Sequence, residues 1–228
     1  MNTRRFTQIA RQGFLVLTLS AGILAAQVEP AFLQAHRQNG DQLKHYSWKS
    51  RTEVQKDGKT KSIQLSLVRF DTRGDLQTTP ISATQPDMPQ RGLRGRIAKG
   101  KKEDMLETLE SLKGLARSYS DLHPVDMQRL MANAALVPDG VSSTKLVRAT
   151  GTNVLQTGDS MTVWADASTQ HLRKVEVMSR LDKKAVRVIS EFEDLPNGPT
   201  AMSRSVIQYP GEELTVIVEN FEYTRATP

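Results

Sequence analysis

The chain contains no cysteine. Disulfide bridges, thiol catalysis and cysteine-ligated metals are excluded, and so is a lipid anchor carried on a cysteine. Aromatic residues are scarce, with two tryptophans, four tyrosines and six phenylalanines in 228 residues. That removes the interleaving of basic and aromatic side chains that a nucleic-acid binder uses, and no nucleic-acid partner is expected. None of the four histidines (His36, His45, His123, His171) has a partner at metal-ligand spacing. No Gly-x-Ser-x-Gly elbow is present, and Gly92-Leu93-Arg94-Gly95 lacks the Gly-Lys-Ser/Thr ending of a phosphate loop. Glu191, Glu193 and Asp194 read as a solvated strand edge rather than paired catalytic acids. Arg73-Gly74-Asp75 spells an adhesion tripeptide but sits where a hairpin turn needs glycine. The expectation is a protein that is not an enzyme and holds neither cofactor nor metal.

Long apolar runs are equally scarce. The one present, Phe14 to Ala26, follows Arg4, Arg5 and Arg11. A basic segment, a short apolar core and small residues at its end read as a signal peptide over residues 1–26, cleaved after Ala25 or Ala26. The run is shorter than the roughly 20 residues a spanning helix needs. Residues 27–228 are then expected as one exported domain, periplasmic or secreted, with peripheral membrane contact at most. The net charge of +6 falls with the leader, leaving 28 basic against 25 acidic residues. Six of those bases lie between Arg91 and Lys102 with no acid among them. The basicity is therefore one patch on a nearly neutral chain.

Periodicity supplies the elements. Residues 31–44 suit a short helix after Pro30. His45–Val54 and Lys61–Phe70 alternate in the period of two that marks half-buried strands, and Asp57-Gly58 between them is a type I′ turn signal. A third strand is expected over Asp75–Ile81. Residues 82–100, with Pro86, Pro89, Gly92, Gly95 and Gly100, read as a basic loop. Met105, Leu106, Leu109, Leu112, Ala116 and Tyr119 form an apolar stripe at helical spacing, so a helix is expected over Lys102–Tyr119. A second is expected over Val125–Leu136. Six strands follow: Thr144–Thr150, Ser160–Asp166, Leu172–Leu181, Ala185–Leu195, Ala201–Tyr209 and Glu213–Tyr223. Their hairpin-length connections make neighbours antiparallel. In the last strand Leu214, Val216 and Val218 oppose Ile217, Phe221 and Tyr223, so it belongs in the middle of the sheet or under cover on both sides. The fold class expected is α+β, a curved antiparallel sheet, an unclosed barrel, with two or three helices on its concave face.

Three stretches carry a family likeness. Tyr46–Val54 reads YSWKSRTEV, Asp159–Asp166 reads DSMTVWAD, and Leu172–Val177 reads LRKVEV. The strand ending Trp-x-Asp, then a turn and Leu-x-Lys-Val, resembles the LolA/LolB-like (lipoprotein-localisation-factor-like) superfamily of exported bacterial proteins. The whole chain after the leader is similar to an uncharacterised family of secreted bacterial proteins with that fold. The resemblance implies an open antiparallel barrel around an apolar cavity lidded by helices. It also implies partners such as a lipid or a lipoprotein acyl chain.

The function expected is a non-catalytic carrier of a hydrophobic or lipid-like ligand. The alternative is an envelope protein–protein interaction module with a filled core, docking through the sheet edge or residues 82–100. The cavity residues expected are Tyr46, Trp48, Leu65, Leu67, Val163, Val175, Val177, Val188 and Phe192. Arg91, Arg94 and Arg96 are expected to meet a lipid headgroup or another anionic surface.

Overall fold

The computed structural model describes residues 32–84, 92–120, 124–131, 135–138 and 145–226. For 92–102, 120, 124, 131 and 135–138 the description covers the backbone alone. The expected signal peptide lies outside these residues.

A helix, α1 (32–43), leads into β1 (Tyr46–Lys56), β2 (Lys59–Phe70) and β3 (Leu76–Thr84). Then come α2 (Gly92–Ser120) and α3 (Pro124–Met131). The strands β4 (Ala135–Pro138), β5 (Lys145–Thr152), β6 (Ser160–Asp166), β7 (Leu172–Leu181), β8 (Lys184–Asp194), β9 (Thr200–Tyr209) and β10 (Leu214–Arg225) complete the chain. All ten strands form one antiparallel sheet in the order β3-β2-β1-β10-β9-β8-β7-β6-β5-β4. The last strand returns beside the first, so β10 is central, while β3 and β4 remain as edges and the barrel stays open.

Two regions differ from the sequence expectation. The loop over 82–100 is taken up at both ends, because β3 runs to Thr84 and α2 begins at Gly92. Three glycines obscure that helix in sequence, yet the arginines and lysines between them are good helix formers. The helix expected over Val125–Leu136 stops at Met131, and Ala135–Pro138 pairs with β5 instead. Pro138 is tolerated there because β4 is an edge.

Alternation sorts the sheet into two faces. Val54, Val216, Ile207, Val188, Val177 and Met161 pair in turn across six strands. The row ends at Gly151 opposite Met161. A Cβ built on Gly151 would lie 2.9 Å from Leu130 Cδ1, so the missing side chain lets α3 close on the sheet. Phe32 of α1, Leu109, Leu112 and Tyr119 of α2, and Leu130 of α3 join this row in one buried cluster. On the outer face the register aligns Arg51, Glu219, Arg204, Glu191, Lys174, Trp164 and Arg148. Charges of opposite sign face one another there, which favours that face in water. Helices therefore cover one side only.

Curvature comes from bulges. The registers shift at Ser47/Lys49, Val54/Gln55, Leu65/Ser66, Trp164/Ala165 and Glu191/Phe192. Each extra residue bends its strand and increases the local twist. Asp57 and Gly58 adopt φ of 53° and 68°, as the type I′ turn demands. The open curved sheet with helices against its concave face is the arrangement that the LolA/LolB-like resemblance implied.

Candidate functional site

The concave face divides into two zones. In the first, the helices pack on apolar strand residues, and Val163, Val175, Val177 and Val188 all belong to that cluster. In the second, Trp48 lies 5.3 Å from the Tyr223 ring in a stacked arrangement and 5.9 Å from Phe70 in a tilted one. Trp48 is buried but stands apart from the helix-packed cluster. Next to the Val54 row lies a row of shorter side chains, which begins between Val54 and Trp48 on β1 and ends inside the first zone. Thr52, Val218, Ser205, Ser190, Val175, Val163 and Ala149 pair in turn across the strands. Ser190 and Ser205 satisfy each other through a 2.9 Å hydroxyl contact. Ser205 is buried and Ser190 half-buried.

Tyr223 reaches this face through a bulge. Strict alternation would place it outside with Ile217 and Phe221. Lys49 pairs with Phe221 but Ser47 pairs with Thr224, so β10 carries one extra residue, and Glu222 takes φ of 53°. The bulge turns Tyr223 inward, where its hydroxyl donates to the Met202 carbonyl at 2.7 Å. Burial pushes its pKa upward. A phenol held this way is a fixed wall rather than an acid.

The remaining expected residues are placed as follows. Tyr46 begins β1, and its hydroxyl would lie 2.6 Å from a Cβ on Gly198, so it packs against the β8–β9 turn. Phe192 pairs with Met202, continuing the side of β8 that carries Val188 and Ser190. Leu65 and Leu67 pair with Arg51 and Lys49, on the face opposite Trp48. The other tryptophan, Trp164, is also on the outer face, with Lys174 Nζ 4.8 Å from its ring centroid. Arg94 and Arg96 lie on the backbone of α2, and Arg91 lies outside the described residues.

Two polar groups that the sequence does not single out hold the helices over the sheet. Asn39 of α1 donates to the Thr200 carbonyl at 2.8 Å and accepts from the Thr200 amide at 2.6 Å. The Thr200 hydroxyl donates to Asp194, whose carboxylate also meets Arg173 at 2.7 Å and His171 at 2.9 Å. The Arg173 guanidinium, with the Thr200 hydroxyl and His171, holds the Asp194 carboxyl well below the usual range. At the end of α2 the buried Tyr119 hydroxyl donates to Asp159 at 2.5 Å. Asp159 also accepts the amides of Val154, Leu155 and Gln156 at 2.6, 2.9 and 2.9 Å. Burial alone would raise the Asp159 pKa, but Tyr119 and the three amides hold it below the ordinary value. Burial and that carboxylate push Tyr119 up to about 12. No composition signal marks Asn39 or Asp159, since their partners are 161 and 40 residues away.

A cleft of about 160 Å³ between α3 and the β5–β6 hairpin is lined by Asp126, Arg129, Gly151 and Asn153 among others. Arg129 and Asp126 neutralise each other at 3.3 Å. Among the described residues no group of three His, Asp or Glu is arranged to hold a metal ion. No described helix is long and apolar enough to cross a membrane.

No family model matches the chain, and no curated protein matches it. The solved structures similar to it include the following two. One is a DUF1329 family protein from Desulfovibrio piger, at 9% identity and a TM-score of 0.41, over 88% of this chain and 92% of that one. The other is a LolA superfamily protein from Nitrosomonas europaea, at 10% identity and a TM-score of 0.36, over 84% of this chain and 94% of that one. At such scores the functional reading has to stand on the side chains of this chain.

Proposed function

We propose that this protein is an exported, non-catalytic carrier that holds a hydrophobic or lipid-like ligand against the concave face of its sheet. The observation that carries the reading is the aromatic group of Trp48, Phe70 and Tyr223, set on the helix-covered face but apart from the helix-packed core. Aromatic walls suit an apolar tail, because they offer contact area at little entropic cost. Val163, Val175, Val177 and Val188 form the floor beneath the helices, and Tyr46 and Phe192 belong to the end nearest Trp48 in this reading.

The two tryptophans provide the test, because one faces each side of the sheet. A Trp164→Phe chain leaves Trp48 as sole emitter, and adding a long-chain fatty acid should shift or quench its emission. A Trp48→Phe chain leaves Trp164, which should not respond. Equal responses from both tryptophans, or none from Trp48 together with lipid-free extracts by mass spectrometry, would overturn the carrier reading.

One observation favours a second reading, an interaction module. β3 is an edge strand of nine residues, Leu76–Thr84, with every residue exposed and no charge among them. Natural edges are usually blunted by lysine or other charges, and here only Pro80 and the bulge beside it interrupt the strand. If an extended partner segment adds to this edge, Thr79→Lys with Ile81→Lys should abolish its capture by the immobilised protein. Unchanged capture would remove β3 from that role.

A further inference from the structure

We propose that the leading turns of α2 are a docking surface for an anionic lipid bilayer, which goes beyond the carrier reading and stands without it. Arg91, Arg94, Arg96, Lys99, Lys101 and Lys102 fall within twelve residues, with no acid between them. Helical backbone from Gly92 places the five cations from Arg94 to Lys102 on one element. At a rise of 1.5 Å per residue they occupy about 12 Å of helix axis.

The helix changes character just after this segment. Glu103, Asp104, Glu107 and Glu110 follow, in the stretch whose Met105, Leu109 and Leu112 pack into the core. One part of α2 is thus committed to the sheet, and the part before it concentrates the positive charge of the molecule. Elsewhere several cations are met locally: Arg51 by Glu53 and Glu219, Arg187 by Glu176, Arg173 by Asp194. Apart from the leader and this segment, acids outnumber bases. The first turn of α2 carries no acid and includes Arg94, at the positive end of the helix dipole, where charge of that sign is unfavourable. An anionic surface relieves both the mutual repulsion and the dipole mismatch.

A bilayer fits this pattern better than a folded acidic protein. Cation clusters read surface potential without a fixed geometry of partners. Leu93 and Ile97, four positions apart among the cations, have the spacing of an interfacial helix. Three glycines in the segment, Gly92, Gly95 and Gly100, add no bulk between the backbone and a flat surface.

The test is co-sedimentation of a chain beginning at Gln27, which retains every described residue. Vesicles of phosphatidylethanolamine containing a quarter phosphatidylglycerol are compared with pure phosphatidylcholine. Binding to the anionic vesicles is expected at low salt. It should fall at least tenfold in affinity at high salt, through screening, and likewise in Arg94→Glu with Arg96→Glu. Arg94→Lys with Arg96→Lys should bind like the parent, because charge is what the surface reads. Melting temperature should not fall in either variant, and the Trp48 response to fatty acid in solution should stay unchanged in both. That keeps a failure of docking distinct from a failure of carriage. Equal binding by the glutamate variant, or equal binding to phosphatidylcholine, would overturn the proposal. Retention on an acidic protein without any vesicle binding would also overturn it, assigning the surface to a protein partner.

Discussion

Replacing Asp159 with alanine should destabilise the fold by about 3–5 kcal/mol. The carboxylate is buried and accepts four hydrogen bonds, three from consecutive amides and one from the Tyr119 hydroxyl. A hydrogen bond to a charged group contributes about 1.5–3 kcal/mol, and donors left unpaired carry a desolvation cost of about 1–3 kcal/mol. The contributions overlap, so the total falls below their sum. At about 2–4 °C per kcal/mol for a domain of this size, the melting temperature should drop by about 10 °C. Asp159→Asn keeps one acceptor oxygen and should lose about half as much. A loss under about 1 kcal/mol for the alanine variant would mean that the loop and α2 are held by something else.

The same carboxylate predicts a pH dependence. Asp159, Asp166, Glu176 and Asp194 all have pKa values below their ordinary ones in the folded protein. As pH falls, the unfolded chain binds protons first, near a carboxylate's usual pKa of about 4. Stability from these groups is complete above that value and is lost as pH drops through the folded values. Thermal melts should fall steeply below about pH 4. Asp159→Asn should flatten that acid limb, and an unchanged limb would remove Asp159 from the effect.

The second large effect belongs to Leu112. It is 1% exposed and lies in the buried cluster shared by α2 and the sheet. Leu112→Ala should cost about 3–5 kcal/mol, the lost transfer free energy plus the cavity left behind. Leu106, six residues earlier on the same helix and 48% exposed, supplies the contrast. Leu106→Ala should change stability by no more than about 0.5 kcal/mol. Denaturant midpoints of the two variants decide the matter. Similar losses would show that α2 is not docked through the face Leu112 occupies.

Leu106 also shows where sequence reasoning has its limit. Its spacing fits the stripe of Met105, Leu109 and Leu112, yet only its position around the helix relative to the sheet leaves it in solvent. The strands were far more legible. β6 and β7 begin and end where alternation and turn residues place them, at Ser160–Asp166 and Leu172–Leu181. β4 was not legible, because four residues are too few for a period to emerge and their pairing depends on β5. The residues expected to line a cavity divide on the same line. Val175 and Val177 share a face by alternation on one strand, and the pairing of β6 and β8 with that strand adds Val163 and Val188. Leu65 and Trp48 sit on separate strands whose relative phase depends on register, and pairing puts them on opposite faces.

What the sequence by itself determined is therefore local: which segments extend, where they turn, that neighbours run antiparallel, and that β10 needed company on both sides. Alternation and turn chemistry act over a few residues, so one chain read linearly is enough. The tertiary structure decided which face became concave, that Tyr223 crosses over to join Trp48, and that Asn39 and Asp159 fasten the helices. Each of these depends on a bulge or on a partner far along the chain. A single inserted residue reverses the faces beyond it, and no period in the sequence announces it.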